Sequence, residues 1–110
     1  SMFGGMKGMG DIMKMMGQLP KMKENLMQAQ ERAKSRVVTG ESGGGMVKVN
    51  ANGIGEILTV KIDPEVFKDP ETVGPLVVSA INLALRKGKE LMAEEAKSSM
   101  GGMDLPPGLI

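Results

Sequence analysis

The sequence predicts an α+β domain in the order α-β-β-β-α, with a three-stranded antiparallel sheet flanked by two long helices, and it predicts an oligomer. Apolar residues repeat with helical spacing towards both ends of the chain, and between them they alternate with polar residues in short segments separated by turns. We expect a flexible Gly/Met-rich arm over residues 1–10, the folded domain over residues 11–100 and an extended tail over residues 101–110.

The first helix is indicated by apolar residues that step along the chain in alternating intervals of three and four. These seven positions, here called the heptad seam, are Ile12, Met15, Leu19, Met22, Leu26, Ala29 and Ala33. Such spacing is typical of a helix that packs along a narrow line. Pro20 interrupts it, and an internal proline costs about 3 kcal/mol or more. The helix could begin near Leu19 with Pro20 in its first turn, or it could run from Ile12 with a kink at the proline. We expect a helix from about residue 19, variably extended towards Asp11, which could cap it.

Three short strands are expected in the middle of the chain. Residues 36–39 are mostly β-branched, and Val47 and Val49 alternate with polar residues. Asn52-Gly53 predicts a type I′ hairpin turn, in which both central residues need positive φ. The alternation then resumes until Asp63-Pro64 ends the third strand.

The glycine run between the first two strands, Gly43-Gly44-Gly45, predicts a tight hairpin connection or a glycine-rich strand end. Successive backbone N–H groups in such a run could also cradle a phosphate. No Gly-Lys-Ser/Thr follows, so the run is not a nucleotide-binding P-loop.

The second helix has a broad apolar face. Thr72 is its expected N-cap, which places Pro75 in the first turn, where the missing N–H costs little. Its apolar residues are Val73, Leu76, Val77, Ala80, Ile81, Ala84, Leu85, Leu91 and Met92. A face of this width can cover one side of a three-stranded sheet. Gly101-Gly102 is expected to end the helix.

A second subunit is expected because the core of one chain is small. The sequence contains no Trp, no Tyr and two Phe among 110 residues, and large aromatic side chains normally supply much of the burial. A domain of this size buries only roughly 60–65% of its unfolded surface. We expect the second helix to cover its own sheet and the first to pair with or project beside a partner.

The composition excludes several classes of chemistry. Without Cys or His, there is no disulfide, no thiolate metal site, and neither the commonest general base nor the commonest metal ligand. Glu94 and Glu95 are adjacent on a helix and face different ways, so they do not form an acid/base pair. We expect no enzyme activity, cofactor, metal or small-molecule substrate.

No apolar run approaches the ~20 residues that a membrane span needs, and no signal peptide precedes the domain. These observations predict a cytoplasmic protein that does not enter a membrane.

Positive charge is concentrated in the first helix. Residues 1–36 hold seven basic and three acidic residues, whereas residues 37–85 hold three basic and six acidic ones. An anionic partner is therefore expected to meet the first helix. The candidate phosphate contacts are Lys21, Lys23, Arg32, Lys34 and Arg36 of the first helix, with Lys87 and Lys89 of the second.

Other interpretations of these cations stay open. Arg32 and Arg36 lie one turn apart and repel each other, which a phosphate could relieve. They could also form a solvated helix end. Lys23 and Arg32 flank the heptad seam, so either could instead pair with Glu24 or Glu31 of a partner helix. In the second helix, we expect Arg86 to pair with Glu90, which would leave Lys87 and Lys89 available.

The methionines are clustered as well, because eight of the twelve fall within residues 2–27. They could form an adaptable apolar surface for another protein. Thioethers also suit Cu(I), which Met6, Met9, Met13 and Met16 could bind. The simplest interpretation is that Met15 and Met22 fill the heptad seam and the others lie in a loose arm.

Three motifs in order resemble the YbaB/EbfC family. They are Val38-Thr39-Gly40-Glu41-Ser42-Gly43-Gly44-Gly45-Met46-Val47-Lys48-Val49, Lys61-Ile62-Asp63-Pro64-Glu65 and Met103-Asp104-Leu105-Pro106-Pro107-Gly108. The resemblance runs from about residue 10 to residue 108. It implies a homodimer with helices projecting like the arms of tweezers, which binds double-stranded DNA in the bacterial nucleoid with little sequence preference. Gly74-Pro75 departs from the good helix start usual in that family.

Two hypotheses about function follow. In the first, the protein is a nucleoid-associated homodimer whose cations contact the phosphates of double-stranded DNA. In the alternative, it is a structural or protein-interaction module that uses the heptad seam and the Met-rich arm, and DNA binding is incidental. The near-neutral net charge of +1 favours the alternative, since strong DNA binders are usually basic.

Overall fold

The computed structural model describes residues 8–101. Its elements are α1 (Met9–Ser35), β1 (Val37–Ser42), β2 (Val47–Asn52), β3 (Ile57–Ile62) and α2 (Pro70–Met100). The strands form one antiparallel sheet in the order β1-β2-β3. The predicted element order and the α+β class are therefore confirmed. Within residues 8–101, neither helix has an apolar stretch long enough to span a membrane.

The core lies between β2 and α2. Val47, Val49 and Ala51 point to the same face of the sheet and are fully buried, together with Ala80 and Ala84 of α2. The predicted alternation of β2 and the predicted apolar face of the second helix account for this packing. The half-buried apolar residues around it are Val38, Ile62, Val73, Leu76, Val77 and Ile81.

Small residues let α2 lie very close to the sheet. A Cβ atom added to Gly40 of β1 would overlap the Ala80 carbonyl and the Ala84 amide of α2. A Cβ on Gly88 of α2 would lie 2.5 Å from the Asn52 carbonyl oxygen. Gly40 and Gly88 therefore set the distance between the helix and the sheet, which fixes where α2 places its charged side chains.

Helix α1 begins earlier than predicted. It starts at Met9 and continues through Pro20, so the expected start near residue 19 is wrong. Gly8 occupies the N-cap position, and Asp11 lies within the first turn rather than capping it. Pro20 and Met16 are both exposed, and Met16 is the residue whose carbonyl loses its helical donor at the proline.

Only part of each predicted terminal segment lies within the described residues. Met9 and Gly10, which we expected in the arm, are already helical. Residues 1–7 of the arm and residues 102–110 of the tail lie outside the described residues.

The fully buried residues of α1 lie in its second half. Ala29 and Ala33 of the heptad seam are fully buried, and the Gly53 amide donates to the Ala33 carbonyl at 2.8 Å. Leu19 and Leu26 of the same seam remain 55% and 39% exposed. Among the described residues, the heptad seam is thus fully buried only at Ala29 and Ala33, near the C-terminal end of α1.

The connection between β2 and β3 differs from the predicted type I′ turn. It is a longer loop, in which the Asn52 amide donates to the Glu56 carbonyl at 3.1 Å. Gly55 has a positive φ of 86°, whereas Gly53 does not. The buried Asn52 side chain explains the difference, because its Oδ1 accepts from the amides of Ile54 and Glu56. The predicted glycine-rich connection between β1 and β2 is confirmed as a single 3₁₀ turn, Gly43–Gly45.

Helix α2 also begins earlier than predicted. It starts at Pro70, whose fixed φ suits the first helical position, so Thr72 is not its N-cap. The Thr72 hydroxyl instead donates to the Asp69 carbonyl at 2.8 Å. Pro75 lies inside the helix, which ends at Met100 with Gly101 at the C-cap position, as predicted.

Candidate nucleic-acid interface

The C-terminal end of α1 is joined to α2 by a cluster of charged side chains. Arg32 Nε donates to Glu95 Oε2 at 2.6 Å, and Arg36 NH1 donates to Glu95 Oε1 at 2.8 Å. Arg36 NH1 also lies 3.8 Å from Glu94 Oε1, and Arg32 NH2 donates to the Ser99 hydroxyl. Each carboxylate oxygen of Glu95 therefore accepts a hydrogen bond from its own arginine, Oε2 from Arg32 and Oε1 from Arg36.

The environment of Glu95 favours its ionised form. The hydrogen bonds from Arg32 and Arg36 lower the pKa of its carboxyl below the usual value, and partial burial opposes them. The Glu95 side chain is 13% exposed, whereas those of Arg32 and Arg36 are 46% and 48% exposed. The mutual repulsion predicted for the two arginines is thus relieved within the chain by Glu95. The salt bridge to Glu24 or Glu31 of a partner helix stays a prediction.

The cations of α2 differ from expectation. Lys87 Nζ donates to the carbonyl of Thr39 on β1 at 3.0 Å, so this ammonium is tied to the sheet. Arg86 forms no ion pair with Glu90, and the predicted pair is therefore wrong. Arg86 is exposed and has no hydrogen bond or ion pair with any residue between 8 and 101. Because the sequence predicted a pair between Arg86 and Glu90, Arg86 was not among the candidate phosphate contacts.

Four of the candidate lysines have no such partner. Lys21, Lys23, Lys34 and Lys89 are exposed and form no hydrogen bond or ion pair with the described part of the chain. Their ammonium groups are available to an external anion. They are the members of the seven candidate phosphate contacts that residues 8–101 do not engage.

Three of these lysines belong to α1 and occupy two of its flanks. Lys23 and Lys34 are eleven residues apart, which is about three helical turns, so they share a flank and are separated by roughly 16 Å. Gln30 lies between them on that flank and lines a cleft of about 380 Å³ with Lys89 and Met92 of α2. Lys21 lies on the opposite flank, which it shares with Arg32.

Among residues 8–101, no three His, Cys, Asp or Glu side chains are grouped so that they could hold a metal ion. Met9, Met13 and Met16 are 70%, 67% and 62% exposed, and Met6 of the considered Cu(I) site lies outside the described residues.

The chain is similar to known DNA-binding and nucleoid-associated proteins. The model of the YbaB/EbfC DNA-binding family matches residues 9–103. A nucleoid-associated protein of Akkermansia muciniphila is 44% identical over 90% of this chain and 97% of its own length. Another, from Chlorobium limicola, is 41% identical over 96% of this chain and 93% of its own.

A solved structure supports the fold. The crystal structure of the uncharacterized protein HP0035 from Helicobacter pylori superposes with a TM-score of 0.62 at 35% identity, over 71% of this chain and 93% of that one. The matched family is a DNA-binding family and not an enzyme family, in agreement with the predicted absence of catalysis. With the family model matching nearly all the described residues, this chain belongs to the YbaB/EbfC DNA-binding family.

Proposed function

We propose that the protein binds double-stranded DNA in the bacterial nucleoid as a homodimer, mainly through phosphate contacts and with little sequence specificity. The observation that carries the proposal is the set of exposed lysines that have no hydrogen bond or ion pair with residues 8–101, namely Lys21, Lys23, Lys34 and Lys89. Lysine is a flexible point charge that contacts phosphate without reading base edges. Arg32, Arg36 and Lys87 complete the proposed surface, although each already has a partner within the chain.

The composition supports duplex DNA over single strands. Proteins that bind single strands stack bases on aromatic side chains, and this sequence has no Trp and no Tyr. The available cations lie on a helix and beside a cleft, where they can meet the regularly spaced phosphates of a duplex.

The homodimer is supported by the apolar surface of β3. Val60 pairs with Val49 across the sheet, so it points to the face that α2 covers. Helix α2 packs mainly over β1 and β2, and Ile57, Leu58 and Val60 remain 39%, 47% and 43% exposed. β3 is also an edge strand, and an exposed apolar edge promotes aggregation unless another chain covers it. We propose that a second copy covers this face.

Val60→Asp is expected to convert the dimer to a monomer, because the symmetry of a homodimer would bury two new carboxylates at the interface. Light scattering would measure the change as a halving of mass. Thr59→Asp is the matched control, since Thr59 pairs with Asn50 on the opposite face of the same strand. A wild type with the mass of one chain, or a Val60→Asp variant that stays dimeric, would contradict the proposed interface.

The proposed function is tested by titrating the protein into a fluorescently labelled duplex of about 30 base pairs at about 50 and about 200 mM salt. If six phosphates are contacted, affinity is expected to fall roughly a thousandfold between these conditions. Duplexes of unrelated sequence should bind alike. No binding even at the lower salt would overturn the proposal.

One observation favours the alternative function as a protein-interaction module. Met9, Met13 and Met16 lie on one exposed flank of α1. They belong neither to the buried core nor to the proposed phosphate contacts. If the duplex titration fails, a protein partner for this flank becomes the better hypothesis. Loss of such a partner on deletion of residues 1–10, with DNA binding intact, would assign the two roles to different surfaces.

A further inference from the structure

We propose that Glu95 competes with DNA phosphate for Arg32 and Arg36 and thereby limits the affinity of the interface. The inference rests on the proposed function and adds a residue of opposite charge to it. In the free protein, Glu95 would hold both arginines, and a bound phosphate would take over some of their donors. Glu95 is then a positioning residue that acts through the arginines.

The geometry of Glu95 resembles what a phosphate would offer. Its two oxygens accept from Arg32 Nε at 2.6 Å and from Arg36 NH1 at 2.8 Å. Two anionic oxygens are also what a phosphodiester presents to neighbouring guanidinium groups, through the same charge-assisted hydrogen bonds. The carboxylate and the phosphate would therefore use the same donors.

The exposure of the side chains makes an exchange of partners feasible. Arg32 and Arg36 are about half exposed, whereas Glu95 is 13% exposed. A duplex can approach the guanidinium groups from the solvent side while Glu95 stays behind them. Because solvent screens half-exposed ion pairs, the Glu95 pairs are not strong enough to prevent the exchange.

The position of Arg32 connects this cluster to the proposed interface. Arg32 shares a flank of α1 with Lys21, and Lys21 has no partner within residues 8–101. A phosphate backbone that follows Lys21 along this flank would reach Arg32 next. There it would meet the Glu95 carboxylate, which repels it and occupies the arginine.

Glu95→Gln tests the proposal, with Glu94→Gln as the matched control. Both changes remove one negative charge from neighbouring positions of α2. The Glu94 side chain, however, is 70% exposed, and its Oε1 lies 3.8 Å from Arg36 NH1, beyond hydrogen-bond distance. Affinity for the labelled duplex at low salt is expected to rise about tenfold for Glu95→Gln and to change little for Glu94→Gln. The salt dependence should steepen by about 0.9 for each additional phosphate contacted, which a purely structural role of Glu95 would not produce.

Equal effects of the two variants, or weaker binding by Glu95→Gln, would overturn the proposal. A folding defect is recognised by thermal unfolding, and a measurement on the wild type avoids it. In ¹⁵N-labelled wild type, the Arg32 Nε–H resonance is expected to shift when duplex is added, since its acceptor changes. An unchanged resonance at saturation would show that Glu95 keeps Arg32 in the complex, contrary to the proposal.

The two proposals fail in distinguishable ways. If the wild type does not bind duplex, the proposed function falls and this inference falls with it. If the wild type binds with the expected salt dependence and Glu95→Gln matches Glu94→Gln, the inference alone is overturned.

Discussion

Replacing Lys21, Lys23 and Lys34 together by glutamine is expected to remove most of the affinity for duplex DNA. A homodimer would lose six cations, and each phosphate contact contributes about 0.9 to the slope of log affinity against log salt. We expect affinity at about 50 mM salt to fall roughly a thousandfold and the slope to flatten by about 5. The three side chains are exposed, so stability should change by no more than about 0.5 kcal/mol for each.

The matched control is the replacement of Lys48, Lys61 and Lys68 by glutamine. It changes net charge by the same amount but acts on the sheet and on the turn that follows it. The surface ion pairs that it breaks, Lys48 with Glu41 and Lys68 with Glu65, are each worth about 0–1 kcal/mol. Equal losses for both triple variants, in anisotropy titrations over a range of salt, would mean that overall charge governs binding rather than α1.

The elements of the fold could be predicted because their signals are local. The alternation of Val47, Val49 and Ala51 and the wide apolar face of α2 follow from strand and helix periodicity, and the structure buries them as expected. The start of α1 could not be predicted from Pro20 alone. The cost of an internal proline depends on whether its surroundings are solvated, and here they are exposed.

Tertiary contacts decided the features that the sequence analysis missed. Asn52-Gly53 forms a longer loop because the Asn52 side chain accepts two amides of the loop and Gly53 bonds to α1. Likewise, Arg32 and Arg36 meet Glu95 across 63 and 59 residues of sequence. No local pattern indicates that pairing. The lysines could be identified as candidates from charge clustering, but only the fold separates those that are free from those that are engaged.

Gly40→Ala is expected to destabilise the domain by at least about 3 kcal/mol, at or above the upper end of the usual range for overpacking. The new Cβ would overlap the carbonyl of Ala80 and the amide of Ala84, which are backbone atoms of α2 and cannot rotate away as a side chain does. Helix α2 would have to move off the sheet and open the core around Val49. In thermal unfolding followed by circular dichroism, Tm is expected to fall by more than about 10 °C.

Gly17→Ala is the control for this prediction, because it makes the same chemical change at an exposed helical position, in α1. An added Cβ at Gly17 meets nothing within 4 Å, so this variant is expected to gain up to about 1 kcal/mol from the higher helix propensity of alanine. Opposite signs for the two variants would assign the loss to contact between α2 and the sheet. An unchanged Tm for Gly40→Ala would contradict that contact. It would also contradict the placement of Lys89 and Glu95, which α2 carries, relative to the cations of α1.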